Sequence, residues 1–158
     1  MAIRPILELP DARLRQVCAD VIVFDADLRQ LADDMLETMY AAPGRGLAGP
    51  QIGVIQRIFV MDVGWKDGRP SPLVCINPVI KDASGLVANT EGCLSIPDHP
   101  VVIERPAVVR LAWLDVVGRA CEGFFDGFAA VCVQHERDHL DGVLCIDYPD
   151  MTPEKVIH

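Results

Sequence analysis

The sequence predicts an α+β fold, with mixed or antiparallel β-sheets packed around a central helix. Three observations carry this. One segment, 25–42, repeats apolar residues at helical spacing with charges between them. A second helical segment, 127–140, is apolar around most of its circumference before Gln134 and so belongs in the interior. Between them run short β-branched stretches separated by turn residues.

The first helix places Leu28, Leu31, Ala32, Met35, Leu36 and Met39 on one face. Asp25 or Asp27 serves as its N-cap, and Pro43-Gly44 stops it. Strands are predicted at 57–63, 73–80, 86–90, 101–104, 107–115 and 120–125. Turns fall at 66–69, 84–85 and 117–119, where glycine and polar residues gather. The second helix ends at Asp141-Gly142. Pro149 and Pro153 leave the tail from Tyr148 as a short helix or a frayed end.

A chain of 158 residues supports one domain, spanning 1–158, with a sizeable core. Hydrophobic residues make up 51% and charged residues 23%, as in ordinary globular proteins. No apolar run is long enough to cross a bilayer, and the first residues lack the features of a secretory or transit leader. A cytoplasmic protein is therefore expected. The net charge of −9 argues against direct nucleic-acid binding, which needs a concentrated basic face. Six cysteines with no export signal read as reduced thiols, most of them core residues.

The chemistry concentrates at 134–140, Gln-His-Glu-Arg-Asp-His-Leu. In this H-E-x-x-H pattern His135 and His139 stand four apart, on one helical face, and both imidazoles can bind one metal ion. Glu136 is placed beside the first ligand as a general base. In a buried helix, two histidines and two carboxylates without partners would be costly, which favours a metal site over solvated side chains. A catalytic site of this kind needs a third protein ligand. Little chain follows His139, and it offers only Glu154 and the terminal His158. Upstream stands Thr90-Glu91-Gly92-Cys93-Leu94-Ser95, where Cys93 can present a thiolate from a glycine-containing turn.

Three motifs then converge in order and spacing. Gly-Arg-Gly-Leu-Ala-Gly-Pro-Gln at 44–51, Glu-Gly-Cys-Leu-Ser at 91–95 and Gln-His-Glu-Arg-Asp-His at 134–139 together resemble the signature of the peptide deformylase family, over about residues 3–148. The resemblance implies removal of the N-formyl group from new peptides that begin with formyl-methionine. It implies one divalent metal ion, Fe²⁺ in cells, with Zn²⁺, Ni²⁺ or Co²⁺ as substitutes. Carried over, Cys93, His135 and His139 are the metal ligands and Glu136 the acid–base group. Gln51 and the Leu94 N–H become the oxyanion stabilisers, with Glu91 and Arg105 as a supporting ion pair. Gly44, Arg45, Gly46, Glu91 and Gly92 border the peptide groove. Taken alone, the glycines of 44–49 read as a turn; the family context favours close approach by a peptide added as a strand. Phe128, Val131 and Cys132 pack the core or wall a pocket for the methionine side chain.

The chain departs from the family pattern in that groove. Arg45 stands where Val or Ile is usual, Gly49 replaces an alanine, and Asp98-His99-Pro100 fills a stretch that often holds Arg. His99 reads as exposed rather than as a ligand. The acidic tail lacks a basic helix for the ribosome, so docking there is not inferred. Two alternatives stay open: a deformylase-like peptide-binding protein with weak or lost turnover, and an endoprotease using Glu154 as its third ligand.

Overall fold

The computed structural model describes residues 2–153. Asp25 accepts a hydrogen bond from the Leu28 N–H (3.1 Å) and starts helix α1, Ala26–Ala41. Strands β1 (Gly46–Ala48), β2 (Ile58–Met61), β3 (Leu73–Ser84), β6 (Val108–Leu114) and β7 (Ala120–Phe125) form one antiparallel sheet in the order β1-β2-β3-β6-β7. Strands β4 (Val87–Cys93) and β5 (Ile96–Arg105) pair only with each other. Helix α2, Gly127–Leu140, follows β7. The fold is thus α+β, with antiparallel rather than mixed sheets; the one parallel pairing among the described residues is an isolated bridge from Ala19 to Gln56.

The five-stranded sheet lies between the two helices, and β2 shows why. Ile58 and Val60 join Leu28, Leu31, Met35 and Met39 of α1 in one core cluster. Phe59 and Met61 join Ala130, Cys132, Val133 and Leu140 of α2 in another. Successive side chains on a strand point to opposite faces, so a strand covered on both sides is apolar throughout. All four residues of β2 are buried. Arg57 fixes the far end of α2, its guanidinium donating to the Leu140 carbonyl at 3.0 Å, where the helix leaves carbonyls unpaired.

Several elements differ from their sequence-based bounds, among them the strand expected at 86–90, which runs on to Cys93. The strand expected at 57–63 is shorter. That at 73–80 runs on to Ser84 through Lys81 and Asp82, because pairing with β6 continues across two register shifts. The strand expected at 101–104 begins already at Ile96 and contains Pro97 and Pro100. Prolines are tolerated there because β5 has a free edge, and a missing N–H on that edge breaks no ladder bond. The glycine-rich segment is not only a turn, since Gly46–Ala48 pairs with β2 as an edge strand. Beyond α2, a short 3-10 turn at Cys145–Asp147 ends on Tyr148, whose backbone is extended. Glu154 and His158 lie outside the described residues.

Candidate metal centre and peptide groove

Helix geometry and one hairpin meet at the site. His135 and His139 project from buried turns of α2. Cys93 closes β4, where the register against β5 shifts between Glu91 and Cys93. Its Sγ lies 3.5 Å from His139 Nε2. Ligand atoms of Cys93, His135 and His139 lie within 4.8 Å of one another, and no other such group occurs among the described residues. A tetrahedral zinc-like ion would hold sulfur and nitrogen ligands roughly 3.6 Å apart, given bonds of about 2.3 and 2.1 Å.

The surroundings favour a cation. Glu91 Oε1 sits 2.9 Å from His135 Nδ1. Arg105 donates to the same carboxylate through Nε (2.5 Å) and Nη2 (3.0 Å). Burial opposes the charge on Glu91, but hydrogen bonds from His135 and Arg105 outweigh it and hold its pKa below the usual value. An ionised Glu91 only accepts, so His135 Nδ1 donates and its Nε2 lone pair is left for a metal. Burial disfavours a charge on His135, yet Glu136, Cys93 and Glu91 together push its pKa up. A field that favours a proton there also favours a divalent ion. Burial first, then His135, pushes the pKa of His139 down and keeps that imidazole neutral, as ligation requires.

Glu136 is buried, and burial raises its pKa to about 7. Its Oε1 has no partner among the described residues. A carboxyl group poised near neutrality can both take and return a proton. Gly46 makes room for it: a Cβ at that position would lie 2.5 Å from Glu136 Oε2 and 2.9 Å from Cys132 Sγ. Gln51, also buried, has its orientation fixed by accepting from the Ala48 N–H at 2.9 Å. Its Nε2 then donates to Ser95 Oγ at 3.1 Å and points toward Cys93 Sγ at 3.8 Å.

A cavity of about 450 Å³ opens over these groups. Gly44, Arg45, Gly46 and Gln51 border it on one side, Glu91 to Leu94 on another, and Val131, Cys132, His135 and Glu136 at its base. His139 lies behind, fully buried. The residues singled out from sequence are therefore brought together. Two of them carried two readings each, core or pocket wall for Phe128 and groove border or ion-pair partner for Glu91. Phe128 is 50% exposed and packs no core; it stands at the rim with the Arg45 guanidinium 5.4 Å above its ring. Glu91 borders the cavity, but both its oxygens are engaged by His135 and Arg105, so it positions a ligand. His99 is exposed at the rim, away from the ligand cluster.

Asp138 and Tyr148 had no role assigned from sequence. Arg105 Nη1 donates to Asp138 Oδ2 at 2.9 Å, and the Tyr148 hydroxyl donates to the same oxygen at 2.6 Å. The Arg105 guanidinium lies 4.6 Å from the Tyr148 ring centroid. Asp138 sits inside the quoted helix motif, three residues past His135, so helical spacing could have flagged it. Ser95 lies inside the quoted Glu-Gly-Cys-Leu-Ser motif but pairs with Gln51, 44 residues away, and Tyr148 carried no signal.

Two imidazoles and a cysteine sulfur beside a buried carboxyl group, beneath an open groove, define a class: metal-dependent hydrolases that activate water beside an acid–base residue. The comparisons narrow it. The polypeptide deformylase family model matches residues 3–155. The peptide deformylase of Alkalilimnicola ehrlichii is 54% identical over 148 residues, covering 94% of this chain and 83% of that protein. That of Rhizobium meliloti is 50% identical over 149 residues, covering 94% and 86%. The crystal structure of the Thermotoga maritima peptide deformylase superposes with a TM-score of 0.89 at 40% identity, covering 94% of this chain and 98% of that one. The Synechococcus elongatus enzyme in complex with actinonin gives 0.89 at 43% identity, covering 94% and 82%. This chain belongs to the peptide deformylase family, metal-dependent enzymes that remove N-formyl groups.

Proposed function

We propose that this chain deformylates formyl-methionyl peptides, with Cys93, His135 and His139 holding one divalent ion and Glu136 moving the proton. The observation that carries the reading is the meeting of that triad with a buried, near-neutral Glu136 at the base of one groove. A divalent ion supplies, when bound, a Lewis acid that acidifies water and polarises a carbonyl. Glu136 takes the proton of the attacking water. The water oxygen adds to the formyl carbon, and charge develops on the formyl oxygen. The Gln51 amide and the Leu94 N–H are the donors assigned to that oxygen. Glu136 returns the proton to the amine as the C–N bond breaks, releasing formate and a free N-terminus. Val131 and Cys132 wall the space taken by the methionine side chain, and the free edge of β1 offers its backbone to the peptide as an added strand.

Fe²⁺ is the proposed native ion, with Zn²⁺, Ni²⁺ or Co²⁺ able to substitute, because a thiolate ligand suits softer transition metals. Six free thiols support a reducing, cytoplasmic setting. No helix among the described residues is long and apolar enough to cross a membrane.

The test is formate release from a formyl-methionyl tripeptide by protein prepared without oxygen and loaded with Fe²⁺ or Ni²⁺, alongside metal analysis of Cys93→Ala. Turnover in the parent and metal loss in the variant are expected. Peptide binding without formate release would leave the peptide-binding alternative, and a metal-replete, active Cys93→Ala would remove the assigned thiolate ligand.

A further inference from the structure

The groove carries a charge distribution that runs against the rest of the molecule. The chain has a net charge of −9. Yet Arg45 and Lys66 both border the cavity, and neither takes part in an ion pair among the described residues. Each rests on an aromatic ring. The Arg45 guanidinium lies 5.4 Å from the Phe128 centroid, and Lys66 Nζ lies 5.7 Å from the Trp65 ring. Trp65 is tied to the same wall, its indole N–H donating to the Gly44 carbonyl at 2.9 Å. An aromatic face holds a guanidinium in place and leaves its N–H edge open to an incoming acceptor.

The placement fits a peptide rather than the reacting bond. Gly46 abuts Glu136, and Arg45 is the next residue outward along the same edge. An extended chain advances about 3.3 Å per residue. A peptide with its formyl end at Glu136 therefore passes Arg45 with its second or third residue. Of the carboxylates bordering the cavity, Glu91 is neutralised by Arg105 and Glu136 belongs to the acid–base chemistry. Asp98, exposed on the opposite lip, is the one anion left to oppose two cations.

We infer that Arg45, supported by Lys66, makes this groove select formyl peptides that carry a carboxylate one or two residues after the first. The inference rests on the deformylase reading and deepens it by naming a substrate class.

The test compares kcat/KM for formyl-Met-Ala-Glu amide, its Gln counterpart and its Lys counterpart, and for formyl-Met-Ala as free acid and as amide. Calorimetry on the unformylated products reads the groove independently of turnover. Glu is expected to exceed Lys by about two- to five-fold at low salt, the range of an exposed ion pair, with the ratio shrinking as salt rises. Arg45→Val should bring the ratio toward one, and Lys66→Ala should lower it by less. Discrimination between acid and amide, without discrimination between Glu and Gln, would assign the carboxylate to the peptide C-terminus. Equal rates, a preference for Lys, or an unchanged ratio in Arg45→Val overturns the inference. A binding preference with no formate release upholds this selectivity and removes the deformylase reading instead.

Discussion

The helix-borne and hairpin-borne halves of the metal centre are held by different forces. His135 and His139 stand on α2, whose residues from Ala130 to Glu136 are all buried and whose inner face packs on the main sheet through Val133, Leu140 and Phe59. Cys93 stands on a two-stranded sheet with little core of its own: Val101 and Ile103 are its buried apolar residues in a cluster completed by Cys145 from the turn after α2. A lone hairpin of that size is at best marginally stable in water. What fastens it to α2 is charge. Arg105, 3% exposed, bonds Glu91 on its own hairpin and Asp138 on the helix, and Glu91 reaches across to His135. Apolar packing fixes two ligands, and a buried ionic network delivers the third. The network touches a ligand directly, so the cost of desolvating it is tied to the geometry of the site.

On the helix side, the largest effect is expected at the acid–base residue. Glu136→Ala should lower kcat/KM by about 10²–10⁴-fold. Metal content should stay unchanged, since Glu136 is not among the clustered ligand atoms. Steady-state deformylation with metal analysis checks this, and a loss under tenfold would remove Glu136 from the acid–base role.

On the hairpin side, Arg105→Met leaves Glu91 and Asp138 as buried carboxylates without their cation. A stability loss of about 3–5 kcal/mol is expected, read from denaturant unfolding. Metal affinity should fall by about 10–100-fold, because Glu91 no longer holds His135 in place. Wild-type stability in this variant would mean that the small apolar cluster holds the hairpin unaided.

A smaller effect tests the contact between the groove and α2. In Gly46→Ala the new methyl group meets Glu136 and Cys132 side-chain atoms rather than backbone. The expected cost is about 1–3 kcal/mol in thermal unfolding, with a fall in kcat as Glu136 is displaced. An unchanged kcat would show that the helix side has room to spare.

The smallest effect lies outside both halves and serves as a control. Hydrogen bonds from Arg4 first, then from Gln30, hold Asp34 at about 2. A carboxyl group depressed on folding adds stability above its unfolded pKa of about 3.9 and loses it as pH falls through the folded value. Asp34→Asn should therefore show a stability deficit near neutral pH that closes between about pH 4 and about pH 2. Denaturant unfolding across that range checks the sign. A deficit independent of pH would assign the effect to packing.

Much of the site was legible because its signals are local. The pair His135 and His139 needs only the helical repeat, and α1 could be read from the spacing of Leu28, Leu31, Met35 and Met39. Gly46 reads from the family context as a place for close approach by a peptide, and nothing nearby in sequence says that Glu136 will also press against it. Gly49 is similar: a Cβ there would lie 2.7 Å from the Val54 carbonyl oxygen, a backbone contact that the departure from alanine alone did not reveal. Prolines at 97 and 100 hid the true start of β5, because edge strands tolerate what central strands do not.

By itself, the sequence determined the kinds of ligand, the helix that bears two of them and the acid–base residue between them. Those follow from an i, i+4 spacing that any α-helix converts into one face. The family resemblance added Cys93, 46 residues from His139, and the Glu91–Arg105 pair, and only the tertiary structure decided that Asp138 and Tyr148 join Arg105 in holding the hairpin to the helix. The physical reason is range. Periodicity is set by bonds within a few residues, whereas bringing a charged hairpin onto a buried helix depends on chain reversals and desolvated ion pairs that no local pattern encodes.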